Sequence, residues 1–212
     1  MKTVNPDIIR YVESHILPRY RAFDKGHNTD HADKVINTSM ELAGHYEVDP
    51  DKVYVIAAYH DLGLEKDRDT HHLESARILL NDKQLKQWFS ADDLQLMAEA
   101  VEDHRASSGR EPRSIYGKIV AEADRDINPD RILQRTVQYG LAHYPEYDME
   151  THWQRFVEHL YEKYAAGGYL RLWIPYSDNA RQLDTLRNII ADTTKLRKRF
   201  EHFYRIENSQ PQ

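Results

Sequence analysis

The stretch Val53-Tyr54-Val55-Ile56-Ala57-Ala58-Tyr59-His60-Asp61-Leu62-Gly63 limits what this chain can fold into more than any other. Seven apolar or aromatic residues run directly into an imidazole and a carboxylate. Asp49 is placed to cap a helix here, and Pro50 suits its first position. Val53, Ile56, Ala57 and His60 recur at i, i+3, i+4 and i+7, which puts His60 on a buried stripe with Asp61 beside it at the helix end. Gly63 reads as the stop, because glycine accepts the left-handed conformation that ends many helices. Two polar groups driven into a core by their helix need partners there, since an unpaired buried charge is costly.

Helical punctuation continues along the rest of the chain. Asn5-Pro6 starts a helix whose stripe, Ile8, Ile9, Val12, Ile16 and Leu17, runs as far as Pro18, and Gly26 breaks the pattern. A helix from about Asp30 to Tyr46 carries His31, Val35, Thr38 and Leu42 on one face. A charged loop, 64–70, follows the His-Asp pair, and Thr70 is expected to cap a helix opening with His71-His72. Ser90 and Asp93 form a capping-box pattern before Leu94, Met97, Val101 and His104, with Ser107-Ser108-Gly109 as the end. Ile115 to Asp126 reads as a helix in which Asp124 arrives late on an apolar stretch. Asn128-Pro129 starts a helix to about His143, another spans about 149–165, and Asp178 caps one long last helix from Leu183 to Tyr204. No strand alternation and no repeat is present. The fold class is all-α, read as one domain over 1–212 with a core of about 26–140 and a C-terminal helical extension of about 145–206.

Composition narrows the chemistry. With no cysteine, thiolate metal sites and disulfides are excluded, so a metal must be held by His, Asp, Glu or Tyr. The net charge of −6 gives no support for a general nucleic-acid surface but leaves room for a local basic pocket. No stretch reaches the ~18 apolar residues of a membrane span, and the first residues lack the apolar core of a signal peptide. These features are those of a cytoplasmic protein.

Five positions stand out: His31, His60-Asp61, His71, His104 and Asp124. Their imidazoles and carboxylates suit Fe, Mn, Co, Ni or Zn, with Mg allowed. A carboxylate bridges two ions where an imidazole binds one, so Asp61 is the natural bridge if there are two. His31, His60 and Asp124 would then complete one ion, and His71 with His104 the other. A metal acidifies its water and yields hydroxide near neutral pH. Lys34, Arg105, Lys118 and Arg125 lie near these positions in sequence and are candidate phosphate-binding groups. A solvated, salt-bridged face is the competing reading for each. Lys66 and Arg68, in the loop after the His-Asp pair, read as solvated. The Tyr and Trp residues after 139 read as core and interface.

These motifs resemble the HD-domain metal-dependent phosphohydrolases, over about residues 26–140. The likeness rests on His31 in His31-Ala32-Asp33-Lys34-Val35, on His60-Asp61, and on Asp124 in Ala123-Asp124-Arg125, with the lead-in Gly26-His27-Asn28-Thr29-Asp30. His71, four residues before Ser75, and His104, before Ser107-Ser108-Gly109, are similar to the added histidines of two-metal members, which favours His71 over its neighbour His72. The nearest likeness is to di-iron HD hydrolases of dinucleoside tetraphosphates. The Gly-Tyr-Pro element of cyclic-dinucleotide phosphodiesterases is absent. The resemblance implies hydrolysis of a nucleotide or another small phosphorylated metabolite by metal-activated water, with one or two divalent ions, Fe or Mn favoured. Asp61, Lys34 and Arg125 would serve the reaction, and Lys34, Arg105, Lys118 and Arg125 would bind substrate. Expected partners are the small substrate and, as an allowed assembly, a second copy of the chain, with no membrane and no extended nucleic acid. The same fold and ligands also host mixed-valence di-iron oxygenases, and a non-catalytic metal-bound ligand sensor is the third reading.

Overall fold

A computed structural model describes residues 3–23, 28–106 and 109–209. Gly26 and His27 of the lead-in, and Ser107 and Ser108, lie outside the described residues. The described residues form ten α-helices joined by short 3-10 and π segments, without strands, so the fold is all-α. No described helix is long and apolar enough to cross a membrane. Contacts group the chain into two compact units: Met1–Arg125 with Trp173–Ser177, and Asp126–Leu172 with Asp178–Gln212.

In the first unit, α3 (Pro50–Tyr59) is the central element, packed by α2 (Thr29–Ala43), α5 (Ala91–Glu102) and α6 (Ile115–Asp124), while α4 (His71–Asn81) lies against α5. Every residue from Val53 to Tyr59 is buried, so α3 is enclosed on all sides and does not show a single stripe. Asp49 caps it by accepting from the Asp51 N–H, with Pro50 at its first turn, as the sequence indicates. Asn28, Ser90 and Ser114 cap α2, α5 and α6, and the Ser90–Asp93 box is closed in both directions.

Elsewhere the chain departs from its sequence signals. The first helix, α1 (Pro6–Tyr11), passes through a π turn over Val12–Ile16 into a 3-10 turn over Leu17–Ala22. Pro18 sits in the first turn of that 3-10 segment, where its missing N–H is harmless, so it does not end the element. The switch of winding keeps Ile8, Val12, Ile16 and Tyr20 all buried. Gly63 is not a left-handed stop: among the described residues only Gly109 has positive φ. Its role is proximity. A Cβ at Gly63 would collide with the His71 carbonyl oxygen and come 2.7 Å from Ser75 N, while its own N–H donates to Ser75 Oγ at 2.8 Å. Thr70 precedes α4 but makes no side-chain cap, because its hydroxyl and N–H both go to Asp67 Oδ2.

The buried carboxylate of Glu122 accepts from Trp173 N at 2.7 Å and Ser177 Oγ at 2.5 Å, tying the connector 173–177 to α6. In the second unit, α7 (Pro129–His143) packs with α8 (Met149–Lys163), α9 (Asn179–Ala191) and α10 (Thr193–Asn208). The single long last helix expected from sequence is two helices. Asp192 breaks it by accepting from Lys195 N and capping α10, and Asp178 spends its carboxylate on Arg181 and Gln182 instead of a cap. Trp153, Phe156 and Phe200 build this unit's core, while Tyr139 and Tyr161 remain about half exposed.

Gly63→Ala should therefore lower stability by about 2–3 kcal/mol, the upper range for an overpacked site with backbone on the other side. Denaturant unfolding against wild type measures it; an unchanged midpoint would refute the close-approach account.

Candidate metal centre

Six side chains from five helical segments converge in the first unit. Asp124, the last residue of α6, and His31, in the first turn of α2, meet at 3.1 Å. His60 follows the last turn of α3, and its Nε2 lies 3.3 Å from His31 Nε2 and 3.8 Å from Asp124 Oδ1. His71 opens α4 and His104 lies just beyond α5, with their Nε2 atoms 3.1 Å apart. Asp61 stands between the two groups. Its Oδ2 faces His60 at 3.3 Å and His31 at 3.6 Å; its Oδ1 faces His104 at 3.4 Å and His71 at 3.5 Å. Two sets of donor atoms result, His31–His60–Asp124 and Asp61–His71–His104, each within 4.8 Å. His60, Asp61 and His104 are almost fully buried.

Proton placement follows from the partners. Nδ1 of His60, His71 and His104 lies 2.6–2.7 Å from the carbonyls of Ala57, Arg68 and Val101. A carbonyl only accepts, so each Nδ1 carries a hydrogen, and the neutral form of each ring turns a lone pair inward from Nε2. In their neutral forms His71 and His104 face each other lone pair to lone pair at 3.1 Å, which a cation between them relieves. The donor set of imidazole and carboxylate, without thiolate, fits a divalent transition metal.

The electrostatics are those of negative charge held under imidazoles. Burial pushes the Asp61 carboxyl up, but His60, His104 and His31 together hold it well below the usual carboxylate range. Burial likewise opposes the Asp124 charge, and His31 and His60 outweigh it, so its pKa is lowered. Burial favours neutral His31, yet Asp124 and Asp61 raise its pKa to about 9. His71 moves downward, through burial and then the His104 charge. His72 is displaced from both groups. Burial, then Arg105, lowers it to about 4, and its Nδ1 lies 3.3 Å from Arg105 Nη1.

The basic candidates are placed less tightly. Arg105 follows His104 and donates to the Asp69 carbonyl, and its charge lowers the His71 pKa. Lys34 is exposed on α2. Lys118 pairs with Glu111 at 2.5 Å. Arg125 caps the end of α6 and donates to the Ala121 carbonyl, and its Nε is buried without an acceptor among the described residues. Lys66 pairs with Glu74 at 3.0 Å.

Sequence reasoning missed two supports of the site. Tyr20, fully buried, donates its hydroxyl to the Ala58 carbonyl at 3.0 Å and accepts from Asp61 N at 3.3 Å, fixing the backbone at the His-Asp pair. Asp103 is buried beside His104 and holds the following loop through Arg113 N, the Arg113 guanidinium and Arg110. Tyr20 belongs to the buried i, i+4 series after Ile16, which is the one signal that could have drawn attention to it.

Two outcomes are expected in metal-free protein. The His31 pKa is raised in the fold, so its contribution is complete below the unfolded value near 6.5 and is lost as pH climbs toward about 9. Thermal unfolding of chelator-treated protein should show stability falling across that window, by on the order of 3 kcal/mol, and His31→Gln should flatten the fall. A flat wild-type profile there would contradict the assignment. Separately, Tyr20→Phe should cost about 1–3 kcal/mol in denaturant unfolding, because the buried Asp61 N–H loses its acceptor.

Residues 28–128 match the family described as HD domain. No curated protein matches the chain. Among solved structures, a crystal structure described as a predicted HD superfamily hydrolase from an uncultured Thermotogales bacterium is similar, with 18% identity and a TM-score of 0.44 over 72% of this chain and 82% of that one. The matched residues 28–128 contain all six converging side chains.

Proposed function

We propose that this protein is a metal-dependent phosphohydrolase that acts on a nucleotide or another small phosphorylated metabolite. The observation that carries the reading is the split of Asp61, one oxygen toward His31 and His60 and the other toward His71 and His104. This arrangement suits two ions sharing Asp61, with His31, His60 and Asp124 on one and His71 and His104 on the other. Fe or Mn is favoured, with Zn, Co, Ni and Mg compatible. When bound, such ions act as Lewis acids toward phosphoryl oxygens and lower the pKa of bound water.

The chain's own groups contribute orientation and charge. The Nδ1–H bonds to Ala57, Arg68 and Val101 hold three rings in register, so little reorganisation is needed. Tyr20 holds the backbone on which Asp61 sits. Arg105, next to His104 and acting on His71, is the basic group best placed to meet substrate phosphate. Lys34 lies near His31 in sequence and serves the same end from the other group, while Arg125 would have to leave the Ala121 carbonyl and Lys118 to leave Glu111 to take part. With a net charge of −6, the chain favours a compact phosphate compound over a long nucleic acid backbone. The likeness to HD hydrolases of dinucleoside tetraphosphates makes those compounds the first to assay.

Purified protein should hold at least about one equivalent of transition metal by elemental analysis. Asp61→Ala should remove activity and more metal than His71→Ala or His104→Ala, because it takes a ligand from each ion. Equal metal loss in all three would reject the bridge. With Mn or Fe supplied, turnover is expected on mononucleotides, dinucleoside polyphosphates or phosphorylated sugars and not on oligonucleotides. Cleavage confined to oligonucleotides, or silence of fully metallated protein across the panel, would overturn the reading.

A further inference from the structure

The second unit holds a cavity of about 400 Å³ between α7 and α8, within the usual size range of small-ligand sites. Arg135 on α7 and Arg155, His159 and Lys163 on α8 line it, against one carboxylate, Asp126. That carboxylate is paired with Arg131, so the four basic or imidazole side chains face a single acidic one. Arg135 makes no hydrogen bond or ion pair among the described residues. Arg155 is the fixed member. Its guanidinium carbon lies 5.5 Å from the Tyr139 ring and 5.8 Å from the Tyr144 ring, and one Nη donates to the Thr136 carbonyl. Its Nε is buried without an acceptor among the described residues, an exception in a folded protein, where buried donors are almost always paired. Gly140 makes room for this arrangement: a Cβ there would come 2.8 Å from Arg155 Nη2.

We propose that this cavity is a second binding site, independent of the metal centre, for the phosphate group of a small anionic metabolite held by Arg155, Arg135 and Lys163. A guanidinium clamped by two tyrosines loses little freedom on binding, and its planar donors match a phosphate's oxygens. Lys163 and Arg135 reach the same space from facing helices and supply the balancing charge. His159 lines the same cavity. Burial first, then the charges of Lys163 and Arg155, lower its pKa to about 4, so near neutral pH it is uncharged and offers a further hydrogen bond. The neighbouring groove lined by Trp153, Val157, Tyr161 and Leu196 has no comparable charge and no feature that selects an occupant.

The test is calorimetric titration of the chelator-treated full chain with inorganic phosphate and with pyrophosphate, so that metal-held phosphate does not contribute. One saturable site with a submillimolar Kd for pyrophosphate is expected, unchanged in Asp61→Asn. The surface double variant Arg135→Gln/Lys163→Gln should weaken it at least tenfold, and Arg155→Met should abolish it. Should Arg155→Met fail to fold by circular dichroism, the double variant decides. Absence of saturable binding, binding unaffected in the double variant, or millimolar binding that sulfate matches and 150 mM sodium chloride removes would each overturn the proposal. Because the metal centre is empty of metal and disarmed in these titrations, failure of the phosphohydrolase reading would leave the result intact.

Discussion

The Asp61 carboxylate is the interaction on which the first unit depends. A buried carboxylate is costly unless each lone pair is met. Here the four histidines that meet it come from α2, the end of α3, the start of α4 and the end of α5. Each helix must therefore arrive at one point with one particular turn facing inward. The enclosed α3 sets that point, Tyr20 pins its last turn, and Gly63 lets the start of α4 approach within contact of the backbone. Loosening any of these would move an imidazole and leave negative charge under-compensated in a low-dielectric interior.

Much of this was legible in the sequence, and the reason is physical. Caps are local: Asp49-Pro50, Asn128-Pro129 and Ser90-Asp93 specify helix starts through bonds that span only a few residues, and all three appear as read. The six converging side chains were legible because polar groups at the ends of apolar helical runs have few other uses. What failed was tertiary in origin. Gly63 has the residue type of a helix stop but the role of a spacer, which depends on α4, twelve residues on. Thr70 lost its cap to Asp67, and Asp178 to Arg181, because nearby charged groups outcompeted an equally local alternative. The break at Asp192 was hidden by apolar periodicity that continues in phase on both sides of it. Tyr20 and Asp103 carry no motif, since their value lies in where their partners are.

The basic residues show the limit of reading by proximity. Lys34, Arg105, Lys118 and Arg125 are all near ligands in sequence, yet Lys118 is drawn to Glu111 and Arg125 turns back to its own helix. A long flexible side chain can point several ways from one position, so neighbourhood along the chain says little about where its charge ends up. Arg105 differs because its guanidinium is held at the Asp69 carbonyl beside His72.

The carboxylate of Glu122 reaches fifty residues ahead, to Trp173 and Ser177, so the chain leaves the first unit at Arg125 and later returns to complete it. This makes the order of synthesis matter. The residues that carry the histidines and aspartates emerge from the ribosome long before the segment that satisfies Glu122. Until residue 177 is out, that acid must stay hydrated, and the end of α6, which bears Asp124, lacks its final restraint. Maturation of the imidazole cluster is in this sense coupled to α7 and α8, which must be made first although they contribute no donor to it.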